Sequence, residues 1–298
     1  MNAPALPIGV HLDLPASRYH ALPGASASRL RTLWQKTPAH LWVELQKPKK
    51  VTPAMMLGTL CHQKLLEPNR PLPQLAIPPE QYPAPADSSL VKTKKVAVGD
   101  LIDWSWSAKF CKQWRKDSEA AGRLVVTSNE AEAIENGTRA VLNHAVAAPL
   151  IQGATTEVSL VTMSEEFGIP VKARLDLVPV GPDLADVKFT TDVSARAFAS
   201  HAYDLGYHLQ AAWYLDVWND LAGAEQLKTR FKFIAVESAA PFAVNVFTVT
   251  PDLIALGREQ YLEALAVYAR CMHEDDWPAY PENVIPLEVP AWKRRQAA

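Results

Sequence analysis

The chain has 298 residues with a net charge of −2 and a pI near 6.5, so no overall basic character draws it to a polyanion, and any nucleic-acid surface must be local. Its three cysteines, Cys61, Cys111 and Cys271, stand far apart with no C-x-x-C pair, which disfavours a disulfide framework, a four-cysteine zinc site and an iron–sulfur cluster and makes a reducing cytoplasm the default location. Residues 1–10 lack a basic stretch followed by an apolar core, and no segment approaches about 18 uncharged apolar residues, so neither secretion nor membrane insertion is expected.

Residues 1–25 carry four prolines and little periodicity and read as an extended arm. Ser26 or Ser28 can cap a helix running through Trp34, with Leu30, Leu33 and Trp34 at helical spacing. Pro38 then starts a short helix to Leu45, in which His40 is a packing or capping residue. From Met55 to Glu67 the apolar Leu57, Leu60, Cys61 and Leu65 recur with helical period, and Gly58 lies one turn before His62 on the same face. A glycine inside a helix costs ~1 kcal/mol relative to alanine, so Gly58 points to a close approach there. His62 is either a hydrogen-bonded core histidine at a helix crossing or a metal ligand.

The proline-rich stretch at about 68–87 reads as an exposed, irregular insertion. Val96 to Ala121 reads as helix, with Lys109, Lys112, Arg115 and Lys116 interleaved among Trp104, Trp106 and Trp114. That mixture serves either phosphate and base binding or an amphipathic helix burying its tryptophans. A further helix is expected from about Asn129 to His144, capped by Ser128 or Asn129.

Glu157 opens an alternating strand to Val161, and after a turn near Gly168 a second strand, Val171 to Val178, puts Lys172, Arg174 and Asp176 on one face. Residues 179–183 have turn composition, and a third strand, Leu184 to Thr190, puts Asp186 and Lys188 on one face. Two carboxylates held close raise each other's pKa unless a cation neutralises them, and oxygen ligands suit Mg²⁺ or Mn²⁺. Lys188 would then orient or deprotonate an attacking water, or stabilise charge on a phosphate. The plain alternative is that Asp186 and Lys188 form the solvated face of a half-exposed strand. Ser194 to Trp218 reads as one long helix with Tyr207, Gln210, Tyr214 and Val217 in a stripe. Strands at 228–236 and 244–249, a helix from Pro251 to Arg270, and an irregular tail containing Lys293, Arg294 and Arg295 complete the chain.

Taken in order, Gly58-x-x-x-His62, Glu157, Asp176, Asp186-Val187-Lys188-Phe189-Thr190-Thr191 and Gln210-x-x-x-Tyr214 resemble the RecB-like branch of the PD-(D/E)xK nucleases. The flanking Ser26-Ala27-Ser28, Thr37-Pro38-Ala39-His40, Leu57 to His62 with Glu67-Pro68, and Trp277-Pro278-Ala279-Tyr280 are similar to the nuclease domain of phage and prophage exodeoxyribonuclease VIII, the RecE type. The likeness spans nearly the whole chain. It implies an α/β fold, a central mixed β-sheet flanked by helices with N-terminal helical additions, in a single domain over 26–298.

The resemblance also implies roles. His62, Asp176, Asp186 and the backbone carbonyl of Val187 would hold Mg²⁺, with Mn²⁺ able to substitute, and Lys188 would be catalytic. Glu157 matches an upstream acidic position for a second metal or an attacking water, and Gln210 and Tyr214 match a helix motif for phosphate or DNA contact. Phe189, where a threonine is common, and Leu60-Cys61 before the histidine are small departures. The implied activity is processive 5′-to-3′ digestion from the ends of linear double-stranded DNA, leaving 3′ single strands for an annealing protein of RecT type, by subunits in a homo-oligomeric ring. Two alternatives stay open: an endonuclease or other repair nuclease of the same superfamily, and a DNA-binding scaffold that keeps the fold without activity.

Overall fold

A computed structural model describes residues 6–47 and 51–287 of the chain, so the basic tail at 293–295 lies outside the described residues. Prolines exclude long regular elements but not short ones, and the arm expected to be extended holds two. These are β1 (Gly9–His11), on the edge of the main sheet, and α1 (Ala16–Ala21). Leu14, Tyr19 and Leu22 bury themselves as a small cluster there. Lys172 pins this segment, its Nζ donating to the carbonyls of Tyr19 (2.9 Å) and Leu22 (2.6 Å).

Three helices follow: α2 (Ala27–Gln35), α3 (Pro38–Gln46) and α4 (Pro53–Leu66). His40 serves as a local anchor, as expected, with Nδ1 2.7 Å from the Thr37 hydroxyl and its ring edge-on to Tyr280. A Cβ added at Gly58 would meet nothing within 4 Å, so the close approach expected at that glycine is absent among the described residues.

The insertion is larger and more ordered than its prolines suggest. It comprises β2 (Leu75–Ala76), β3 (Gln81–Pro83), α5 (Ser89–Lys92), β4 (Leu101–Asp103), α6 (Lys109–Ala120) and β5 (Leu124–Val125). β3 pairs antiparallel with β4 and β2 pairs parallel with β5. Ala76, Tyr82 and Ala84 are buried, so the stretch is not wholly exposed. The helix expected over 96–121 begins only at Lys109, because Gly99 turns the chain at φ +92° and residues 101–103 are taken up by β4. Next, α7 (Ser128–Glu132) runs through a π-helical turn at 133–137 into α8 (Thr138–Asn143). Its cap is Thr127 rather than Ser128 or Asn129, since Thr127 and Glu130 close a reciprocal capping box. A short α9 (Ala147–Ile151) leads into the sheet.

The sheet's long strands are β6 (Thr155–Ser164), β7 (Ile169–Val178) and β8 (Asp183–Thr190). The helix expected at 194–218 is two, α10 (Ala195–Asp204) and α11 (Tyr207–Leu221), broken where Gly206 takes φ +66°. Then come β9 (Arg230–Glu237), β10 (Val244–Thr248) and α12 (Pro251–Glu274). Strand order is β1-β6-β7-β8-β9-β10, antiparallel except for the β8–β9 pair. The fold is therefore α/β with a mixed sheet. One apolar core joins the sheet to α2, α11 and α12 through residues such as Leu30, Leu209 and Leu265. A second, on Leu177, Ala185 and Val187, takes in Leu65 and Leu66 of α4 with Val141 and Leu150. Helices thus flank both faces. Among the described residues no helix is long and apolar enough to cross a membrane.

Candidate active site

Strand register brings the acidic groups together. β6 and β7 pair with Thr156 opposite Leu177 and Val158 opposite Leu175, so Glu157 stands across from Asp176. Glu157 holds a left-handed backbone, φ +56°, which costs a non-glycine residue about 1–3 kcal/mol and persists only where the surroundings over-determine it. Arg174 supplies that determination. Its Nε donates to Glu157 Oε2 (2.7 Å), and its Nη1 donates to Ser159 Oγ (2.7 Å) and the Leu14 carbonyl (2.8 Å).

Packing of α4 on the sheet delivers His62. Its Nε2 lies 2.8 Å from the Val187 carbonyl oxygen and its Nδ1 3.3 Å from Asp176 Oδ2. The same Asp176 oxygen accepts from the Val187 N–H at 3.1 Å. His62, Glu157 and Asp176 each offer one ligand atom, and these atoms lie within 4.8 Å of one another. Glu157, which sequence reasoning brought here on the first of three successive strands and through an upstream motif position, lies in the same cluster as His62 and Asp176.

Asp186 and Lys188 approach from β8 beside that cluster. Asp186 Oδ1 accepts from Gln210 Nε2 (2.6 Å). Its Oδ2, buried and 2.6 Å from Lys188 Nζ, is an ion-pair partner but has no well-directed hydrogen bond. Lys188 Nζ also reaches Gln210 Oε1 (3.3 Å) and lies 4.6 Å over the Tyr207 ring. Burial works against the Lys188 charge, but Asp186, then Tyr207 and Asp176, outweigh it and raise its pKa, so the ammonium is charged at neutral pH. A charged ammonium can donate hydrogen bonds but has no lone pair with which to remove a proton. Gln210 bridges Asp186 and Lys188, a positioning contact that the helical stripe did not reveal. One turn on, burial holds the Tyr214 phenol well above its ordinary value, leaving a neutral hydrogen-bonding group.

A cleft of about 310 Å³ opens onto Asp176, Gln210 and Tyr214 and is walled by Arg29, Arg31 and Arg174. Sequence reasoning missed Arg29 and Arg31, which carry no motif. It placed Arg174 only as a face-mate of Asp176, two residues away along β7.

Burial, and next the neighbouring Asp186 charge, push Asp176 up to about 7, partly offset by His62. A carboxyl raised from 3.8 costs the cation-free fold stability as pH climbs from about 4 to 7, and a proton and a cation compete for the same oxygens. A divalent cation fits here on three counts. The donors are hard oxygens and an imidazole, Asp186 Oδ2 is a buried acceptor short of a hydrogen bond, and Asp176 asks for a positive charge. Cys61 does not contribute, being buried in a different apolar cluster with its thiol pushed up to about 12 by burial. Mg²⁺ is expected to raise the melting temperature more at pH 8 than at pH 6 in a thermal-shift measurement, and equal shifts would remove Asp176 from the site.

Residues 26–286 match the family described as a PDDEXK-like domain of unknown function (DUF3799). No curated protein sequence matches the chain. Among solved structures, a candidate exonuclease from Eubacterium rectale superposes with a TM-score of 0.59 at 11% identity, over 95% of this chain and 98% of its own, which is a likeness of fold. A phage-related exonuclease from Haemophilus somnus 129PT gives a TM-score of 0.32 at 14% identity, over 65% of this chain and 91% of its own.

Proposed function

Because the chain belongs to the PDDEXK-like domain family, whose match covers residues 26–286, we propose that it is a Mg²⁺-dependent deoxyribonuclease acting at the ends of linear double-stranded DNA. The observation that carries this reading is the cluster of His62, Glu157 and Asp176, with the Asp186–Lys188 ion pair on the neighbouring strand and Asp176 itself lining a cleft walled by arginines.

In this proposal His62, Asp176, Asp186 and the Val187 carbonyl hold the cation, which when bound supplies Lewis-acid polarisation of the scissile phosphate. Gln210 fixes Asp186 through Oδ1 and leaves Oδ2 facing Lys188. Lys188 stays charged, orients the attacking water and offsets the charge that builds on the phosphate oxygens during in-line displacement. Arg174 keeps Glu157 beside Asp176, where its carboxylate serves a second cation or the water. Tyr214 donates to phosphate from the cleft, and Arg29 and Arg31 attract the backbone.

The ordered motifs support the finer reading, which is 5′-to-3′ digestion leaving 3′ tails for a RecT-type annealing protein, by subunits arranged as a ring. End-labelled linear duplex and the same sequence as a covalently closed circle separate this from the rivals. The linear form is expected to be digested and the circle left intact, whereas cutting of the circle would make the protein an endonuclease.

A further inference from the structure

The insertion between β2 and β5 is not used by the reaction above, yet it carries a locally basic stretch. Seven lysines and arginines fall between residues 89 and 116 against two aspartates, in a protein whose net charge is −2. All seven are exposed. Beneath them runs a line of rings: Tyr82 lies parallel to Phe110 at 4.8 Å and edge-on to Trp104, and Trp104 meets Trp106 and Trp114 edge-on at 5.5 and 5.1 Å. Burying its tryptophans would satisfy an amphipathic helix, but Trp106 and Phe110 are each 40% exposed. The Arg115 guanidinium lies 5.7 Å from the Trp106 ring centre.

Beside Trp106 is a cavity of about 260 Å³, lined by Pro78, Pro79, Trp104, Trp106, Ser128 and Asn129. It combines flat apolar walls with side-chain donors and acceptors. Trp104, which lines it, has a buried Nε1 that makes no hydrogen bond among the described residues. The insertion is also seated next to the reaction site. Leu75 and Leu124, at its two stems, pack in the cluster of Leu60 and Cys61, just before His62, and of Phe189, just after Lys188.

We propose that this insertion is a platform for an unpaired DNA strand, on which a base stacks against Trp106 in the cavity while Lys112 and Arg115 hold the adjoining phosphates. Base–aromatic stacking over a positively charged track is how single strands are held without sequence preference, because every base has a π-face. Duplex DNA keeps its bases inside and offers this cavity nothing. The proposal takes the identity of the polymer from the nuclease reading, and the two can fail separately.

Fluorescence anisotropy of the full chain with a labelled oligo(dT), in EDTA so that nothing is cut, tests it. Trp106→Ala is expected to weaken binding about tenfold and Trp106→Phe to restore most of it. Joint Lys112→Gln and Arg115→Gln changes, at exposed positions where the fold loses only the surface pair of Arg115 with Glu119 and its contact with Trp106, should lower the affinity and flatten its salt dependence. A blunt linear duplex should respond to Trp106→Ala by less than twofold, by the same stacking argument. Oligo(dT) binding unchanged in both variants would overturn the proposal and leave the surface to a protein partner. Metal-dependent cleavage that persists beside that result would leave the nuclease reading standing. Trp106-dependent strand binding by a protein that cuts nothing would do the reverse.

Discussion

Lys188→Ala is expected to lose about three orders of magnitude in the rate of DNA hydrolysis, ~4 kcal/mol of transition-state stabilisation, with KM little changed. The split follows from where the ammonium lies. It is 2.6 Å from Asp186 Oδ2, over the Tyr207 ring and within reach of Gln210, which in the proposed reaction reserves it for the scissile phosphate and its water. Losing a uniform DNA contact would instead raise KM. Because the change also strips Asp186 of its ion-pair partner, circular dichroism and a melting curve belong beside the single-turnover assay, and Lys188→Arg serves as the charge-preserving control. Folded Lys188→Ala protein that cuts within tenfold of the parent would remove Lys188 from the reaction and favour the scaffold reading.

The second large effect concerns the fold that holds Gln210 in place. At the crossing of α11 and α12, a Cβ added at Gly257 would fall on the carbonyl oxygen of His208 and within 2.6 Å of its carbon. Those are backbone atoms, so no rotamer change relieves the clash and the helices must part. Gly257→Ala is expected to cost about 3 kcal/mol, at the upper end for overpacking, and to loosen the bond between His208 and Gln260 (2.6 Å). Gly58→Ala is the internal contrast. The space beside Gly58 is open within 4 Å, so alanine there is expected to gain up to ~1 kcal/mol from helix propensity. Urea denaturation of the two variants checks both signs, and equal midpoints would refute the packing argument.

Much of the sheet could be read from alternation alone. β7 alternates apolar and polar residues over most of its length, and a period of two along β7 and β8 carries Asp176 to one face of its strand and Asp186 and Lys188 to a shared face of theirs. Helix ends were less legible, because they depend on single backbone conformations. Gly206 at φ +66° divides an apparently continuous apolar stripe, and Thr127 takes the cap from its neighbours through Glu130. The insertion misled for a different reason. Trp104, on which Trp106 and Trp114 pack, meets Tyr82 of the paired strand more than twenty residues earlier, and helical periodicity within a window does not register such a contact. At the site, residue types at motif spacing pointed to His62 and the aspartates. The bridging role of Gln210 and the clamp from Arg174 on Glu157 are properties of register and side-chain reach, which spacing along the chain does not encode.

The most direct test is the digestion of end-labelled linear duplex by the purified chain in Mg²⁺, run beside the same reaction in EDTA and beside Asp186→Asn in Mg²⁺. Hydrolysis in the first reaction alone is the expected result. Equal cutting in all three would contradict a cation held by these side chains as the source of the activity.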